Sequence, residues 1–171
     1  MTARPTTRKV TGQGDVFWED LSEGAEVVGP GVTITDSHLV TWAGLTGDWV
    51  SLHLDAEYAA AHSFGERIAH GPLTMSLSLG LLTQTGIFGN VRAWLGVDSV
   101  RALSPVMIGH TIHPEATLRR SRPTRRPGQG VWTFDYRTLN HRGEVVMTFS
   151  SSLILLRRDV SEFPDRDGGP N

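Results

Sequence analysis

The run "AHGPLTMSLSLGLLTQTG", residues 69–86, limits what this chain can fold into more than any other segment. Read as a helix, it places Leu73, Leu77 and Leu81 on one stripe and Met75, Leu79 and Leu82 on another, with small Ser and Gly between, so apolar groups surround most of the cylinder. Such a helix must be covered on most sides. Four β-branched and aromatic runs follow it, "VRAWLGVDSVRAL", "GHTIHPEATLRR", "GVWTFDYRTLN" and "EVVMTFSSSLILL", separated by the turn signals "SPVMIG", "SRPTRRPGQ" and "HRG". Short connections between successive strands predict an antiparallel meander, and nothing else in the chain is long and apolar enough to wrap the helix. The predicted class is α+β: one long buried helix in a curved antiparallel sheet, with no internal repeat.

At 171 residues the chain suits one hydrophobic core. Residues 1–15 are polar and residues 159–171 acidic with Pro and Gly, so both read as solvated tails around a folded domain over 16–158. Ahead of the helix, "AEVVGPGVTIT" reads as a strand broken by a Gly-Pro-Gly bend, and Asp36 as the N-cap of a helix over "SHLVTWAGL". A net charge of -2 supplies no field to gather nucleic acid or an anionic membrane. The absence of cysteine excludes disulfides, thiolate nucleophiles and cysteine metal sites. No run of eighteen apolar residues occurs, and the reading is a cytoplasmic protein without a membrane span.

The chemistry concentrates in "LTGDWVSLHLD", residues 45–55, where Asp48 and His53 sit among Trp49, Val50, Leu52 and Leu54. A carboxylate and an imidazole, whose ordinary titration lies near neutrality, can divide general acid and base work between them. His110, His113 and Glu115 in "GHTIHPE" invite a metal reading, but on a strand residues three apart point to opposite faces, so no metal is expected there or elsewhere. Arg119, Arg120, Arg122, Arg125 and Arg126 form a basic cluster in "RRSRPTRRPGQ" without interleaved aromatics; it is read as a turn suited to phosphate contact rather than to nucleic acid.

These pieces together resemble the signature of MaoC-like enoyl-CoA hydratases, a branch of the hot-dog fold. The resemblance is carried by Thr46-Gly47-Asp48, His53, the Asp55-x-Glu57-Tyr58-Ala59 helix start, Phe64-Gly65 and Arg67-Ile68-Ala69-His70-Gly71, with "SPVMIGHTI" and "LNHRGEVVM" downstream. It implies a single hot-dog domain in a homodimer whose sheets join edge to edge. It further implies a hydro-lyase that adds water to, or removes it from, a 2-enoyl thioester of coenzyme A or a carrier protein, without metal or redox cofactor. Asp48 and His53 would handle the water, and the Gly71 amide at the helix start would stabilise the oxyanion. Trp49, Val50, His70 and Leu79 would contact the substrate, and Arg125 and Arg126 the coenzyme A phosphates.

Two departures from the family pattern stand out. The family writes Asp-x-Asn-Pro-x-His where this chain has Asp48-Trp49-Val50-Ser51-Leu52-His53, and some members carry a helix serine at the position of Leu79. Trp49 and Leu79 are read as jointly reshaping the pocket for an acyl group other than a simple short chain. A thioesterase on the same scaffold, or a non-catalytic acyl-binding partner subunit, are the alternatives.

Overall fold

A computed structural model describes residues 16–158; the tails read over 1–15 and 159–171 lie outside the described residues. The chain enters through a 3-10 turn (Trp18–Asp20), then forms β1 (Glu26–Val28) and β2 (Val32–Thr33) on either side of the Gly-Pro-Gly bend. Three helices follow, α1 (Asp36–Thr46), α2 (Ser51–Leu54) and α3 (Ala56–Ala60), ahead of the long helix α4 (Gly71–Thr83). The sheet is completed by β3 (Val91–Ala102), β4 (Thr111–Pro123), β5 (Gln129–Asn140) and β6 (Val145–Leu156). Helix α4 and the last four strands fall where their periodicity puts them.

The order of strands differs from a simple meander. The sheet runs β1-β4-β5-β6-β3, with β2 also pairing β4, and every pairing is antiparallel. Thus β4, β5 and β6 form the meander, whereas β3 lies across the sheet from β4 and pairs with β6, Val91 opposite Leu155 and Ala102 opposite Met147. The segment "SPVMIG" is therefore a crossover and not a hairpin turn; an isolated bridge between Ile68 and Met107 pins it beside the start of α4. The "SRPTRRPGQ" turn is also shorter than read, because β4 continues to Pro123 and carries Arg119, Arg120 and Arg122 as strand residues.

Alternation along β4 and β5 buries one face of the sheet. Ile112, Pro114, Ala116 and Leu118 face inward from β4, and Trp132, Phe134, Tyr136 and Thr138 from β5. Against them α4 buries Leu73, Thr74, Ser78, Leu81 and Leu82, while Met75, Leu77 and Leu79 are only half-buried, so the helix is covered on one side more completely than its composition suggests. The buried polar positions are paired: Ser78 Oγ donates to the Thr74 carbonyl (2.8 Å) and lies 2.7 Å from Thr138 Oγ1, fastening helix to sheet.

One cap differs from the reading. Thr35 occupies the N-cap of α1, with its amide donating to His38 Nδ1 (3.0 Å), and Asp36 is the first helical residue, ion-paired to Arg67 (2.7 Å). Asp36 suits that place because a carboxylate in the first turn faces the positive end of the helix dipole.

Candidate active site

Asp48 stands at the corner between α1 and α2. Helix α1 closes on Gly47, whose φ of 78° is left-handed and whose amide returns to the Ala43 carbonyl at 2.8 Å. Thr46 Oγ1 donates to the Trp42 carbonyl (2.7 Å) and accepts from the Asp48 amide (3.3 Å), and the Trp49 amide turns back to the Gly47 carbonyl (3.1 Å). These short-range bonds fix the corner without the asparagine and proline that the family pattern places there.

His53 is carried on α2, and its Nδ1 lies 2.8 Å from the Ile68 carbonyl. A carbonyl can only accept, so Nδ1 holds the proton and the neutral ring keeps a lone pair on Nε2. His70, immediately before α4, is fully buried and donates from Nε2 to the Asp48 carbonyl at 3.1 Å. Its ring lies against that of His53, centroids 3.8 Å apart and planes tilted 31°. One buried side chain therefore touches both members of the candidate pair. Burial holds the His70 pKa below the ordinary imidazole value and the proximity of His53 adds to this, against the opposing pull of the Asp48 carbonyl and carboxylate. His70 Nδ1 is buried without a hydrogen-bond partner. His70, read as a substrate contact, does not line the pocket beside His53; its hydrogen bond goes to the loop that carries Asp48.

Asp48, His53 and His70 each offer a ligand atom within 4.8 Å of the others, the one such group among the described residues. An imidazole holds a metal in its own ring plane, and the two rings here lie nearly face to face, so sharing one ion would require a ring to rotate. The three residues considered for a metal in the sequence lie apart from this group. His110 packs on His141 with centroids 4.9 Å apart, and His113 Nε2 is 3.9 Å from Glu115.

His53 opens on a pocket of about 320 Å³. Ile68, Gly71 and Thr74 wall one side of it, and Leu103, Val146 and Met147 the other. Gly71 begins α4, so its amide has no acceptor within the helix and sits at the positive end of the helix dipole. A Cβ at Gly71 would meet nothing within 4 Å, so glycine here answers no packing demand, and Gly71 lines the pocket.

The remaining sequence candidates are dispersed. Trp49 and Val50, read as apolar substrate contacts, are 60% and 55% exposed and line neither this pocket nor a larger cavity beyond it. Leu79 lines that larger cavity, about 760 Å³, with Ser76, Gly80 and Thr83. At 100° per residue these four form one face of α4, whereas Gly71, Thr74 and Ser78 form the opposite one. Trp49 and Leu79 thus do not shape one pocket together. Arg125 and Arg126 are exposed at the β4-β5 hairpin. From Gln129 to Thr138, which is opposite Met147 of the pocket, β5 runs about 30 Å. Within one chain the two arginines are at the far end of the sheet from His53. What the sequence reading missed is the contact between His53 and His70, because no helical or strand period links positions seventeen apart.

The described fold is that of known proteins. A MaoC-like dehydratase from Rhodospirillum rubrum superposes with a TM-score of 0.75 at 28% identity, over 85% of this chain and 99% of that one. A conserved hypothetical protein from Mycobacterium tuberculosis with a double hot-dog fold matches with a TM-score of 0.75 at 21% identity, over 91% of this chain and 46% of its own length. An antiparallel sheet curved about α4 is thus a hot-dog domain. Residues 22–135 match the MaoC-like domain, and the chain belongs to that family of hydratases and dehydratases. Protein MaoC from Klebsiella aerogenes is 34% identical over 61% of this chain, and 3-hydroxybutyryl-CoA dehydratase from Methylorubrum extorquens is 31% identical over 65%. The chain spans 31% of the length of the first of these relatives and 69% of the second. Among the described residues no helix is long and apolar enough to cross a membrane.

Proposed function

We propose that this chain catalyses the reversible hydration of a 2-enoyl thioester, with Asp48 and His53 as the acid-base pair and the Gly71 amide as the oxyanion donor. The observation that carries the reading is the shared pocket of His53 and Gly71, with Asp48 alongside. In hydration, a water oxygen bonds to the β-carbon as the pair takes one of its protons, and electrons of the double bond move into the thioester carbonyl. The pair then returns a proton to the α-carbon, so one water is added and the protein gains none. His53 Nε2, with its lone pair free, suits the base, and Asp48 suits the orientation of the water; such groups contribute about 10²–10⁴-fold each. The Gly71 amide meets the charge as it develops on the carbonyl oxygen, a contribution of roughly 3–4 kcal/mol for a well-placed donor. The apolar wall of Leu103, Val146 and Met147 keeps bulk water from competing.

The reaction so written uses no redox cofactor and no metal. In this reading the substrate is an acyl-CoA or a carrier-protein thioester, and the working form is a homodimer joined at the free edge of β3, where Trp94, Leu95 and Val100 are exposed apolar groups that such pairing would cover. Loss of the enoyl absorbance of a crotonyl-type thioester, without release of free thiol, is the expected result for purified protein. Thiol release with the absorbance unchanged would replace this reading with a thioesterase. Asp48→Asn, with folding intact by circular dichroism, is expected to lower turnover by about 10²–10⁴-fold. Near-normal hydration by that variant would remove the mechanism.

A further inference from the structure

Five arginines lie between residues 119 and 126, and the sheet treats them unequally. Arg119 is paired with Asp135 at 2.9 Å, and at the same end of the sheet Arg157 and Arg158 are held by Glu19 and Asp20. Among the described residues Arg120, Arg122, Arg125 and Arg126 have no carboxylate partner, and all four are exposed. The register slips between Leu118 and Arg120, which sets Arg120 opposite Thr133 and Arg122 opposite Val131 on one face of β4. The tip beyond them is a tied turn, since Thr124 Oγ1 donates to the Arg126 carbonyl (2.7 Å) and the Thr124 amide to the Gln129 carbonyl (3.1 Å). Four unneutralised guanidiniums so close together repel one another in the chain on its own. The patch fits a ligand carrying several negative charges, and phosphate is the anion to which arginine offers bidentate contact.

Within one chain this patch does not reach the pocket of His53, because β5 alone puts about 30 Å between them. A second copy changes the distance. A two-fold axis beside Val97 would set two β3 edges antiparallel and bring the exposed Trp94 and Leu95 of each copy beside the partner's Val100. Leu103, in the wall of the His53 pocket, would then face the partner's Val91. From Val91 the rungs of the sheet run to Leu155, Gly130 and Pro123. The arginines beside Pro123 of one copy would thus begin four strand spacings, about 19 Å, from the pocket of the other. The pantetheine arm of coenzyme A is equivalent to about five residues of extended chain, about 17 Å, and ends on a pyrophosphate. We propose that Arg122, Arg125 and Arg126 of one copy bind the phosphates of a coenzyme A whose thioester lies in the partner's pocket, so that each site is completed in trans. The proposal rests on the hydratase and homodimer reading. It narrows the substrate to a coenzyme A thioester, because a carrier-protein arm has only a single phosphate at that place and no nucleotide.

Calorimetry on the full chain with butanoyl-CoA, which is saturated and does not react, tests this without turnover; butanoyl-pantetheine, which lacks the phosphates, is the second probe. The triple variant Arg122→Gln, Arg125→Gln, Arg126→Gln is expected to bind butanoyl-CoA roughly tenfold to a hundredfold more weakly and butanoyl-pantetheine no differently. All three side chains are exposed, so it is expected to melt where the unaltered protein does. The in-trans arrangement is read from mixed dimers of the triple variant with a Gly71→Phe chain, carrying different tags and purified through both. A Cβ at Gly71 meets nothing within 4 Å and a phenyl group there would occupy the pocket, so Gly71→Phe alone is expected to bind neither probe. The mixed dimer joins an open pocket on one chain to intact arginines on the other, and is expected to hold one butanoyl-CoA per dimer at unaltered affinity. A mixed dimer without that site, a triple variant with unchanged affinity, equal weakening of both probes, no binding of butanoyl-CoA to the unaltered protein, or a chain that sediments as a monomer would each overturn the proposal. Loss of enoyl absorbance from crotonyl-pantetheine reports on the hydratase reading alone, so the two can fail independently.

Discussion

Replacing His70 should separate activity from stability. Its side chain makes two contacts that matter to the pair: the Nε2 hydrogen bond to the Asp48 carbonyl at 3.1 Å and the ring stack on His53 at 3.8 Å. A hydrogen bond of this kind contributes about 1 kcal/mol net, and an aromatic stack about 1 kcal/mol beyond area burial. His70→Leu loses both, and if the roughly 2 kcal/mol is felt in the transition state, kcat/KM falls about 30-fold. His70→Gln can still donate to the Asp48 carbonyl but has no ring, so it should lose about half that energy, near fivefold in rate. Stability should move less. The same replacement by leucine removes Nδ1, a buried atom without a partner whose burial costs about 1–3 kcal/mol, so the lost contacts are largely offset and the melting temperature should shift by only a few degrees. The assay is hydration of a crotonyl-type thioester beside a thermal melt of the same preparations. Unchanged kcat/KM in folded His70→Leu, or a loss of activity that tracks a large loss of stability across both variants, would refute the idea that His70 positions the pair.

Two further outcomes follow from the packing and the charges. Burial depresses the pKa of both His70 and His110, and for His110 the neighbouring His141 and Arg142 add to it. Because the folded values lie below the unfolded imidazole value near 6.5, the unfolded chain takes up protons first; the stability is present above that pH and lost as pH falls through the folded values. Melting temperature should therefore decline from pH 7.5 to 5.5 and decline less in His110→Gln, and a flat profile would contradict the sign. Gly130→Ala drives a Cβ into the ring of Trp18, whose backbone carbonyl accepts from Trp132 Nε1 (3.2 Å) and whose ring sits under the Arg157 guanidinium (5.2 Å). Displacing that ring should cost about 1–3 kcal/mol, read as a lower midpoint in urea with an unchanged slope.

The long helix and the four strands were legible because each is a long run rich in apolar residues and bounded by turn signals. Asp48 and His53 stood out because they are a carboxylate and an imidazole set among the apolar Trp49, Val50, Leu52 and Leu54. Trp49 and Val50 are exposed in the single chain for a physical reason: apolar character argues for burial, yet at a tight corner between two helices the chain cannot turn every side chain inward. The arginine cluster is compact in sequence and divided in space, since three of its five members belong to β4, where Arg119 pairs with Asp135 at 2.9 Å. The meander of β4, β5 and β6 was readable from its short turns, but the pairing of β3 with β6 was not. Short connections favour neighbouring strands, but "SPVMIG" is held by Ile68 through Met107, a contact with no local signature.

The crossover also fixes an order of events during synthesis. β3 emerges well before β6, its partner in the sheet, and until Val145–Leu156 has been made its backbone groups stay unpaired along that edge. The pairings that close the sheet link residues such as Val91 and Leu155, so the fold depends on distant contacts and closes late. Docking of the N-terminal turn waits on the same strand, because Glu19 and Asp20 reach Arg157 and Arg158 just beyond its end. A nascent chain stopped before β6 would expose a long apolar helix and an unpaired strand together, the combination most prone to capture by another unfinished copy.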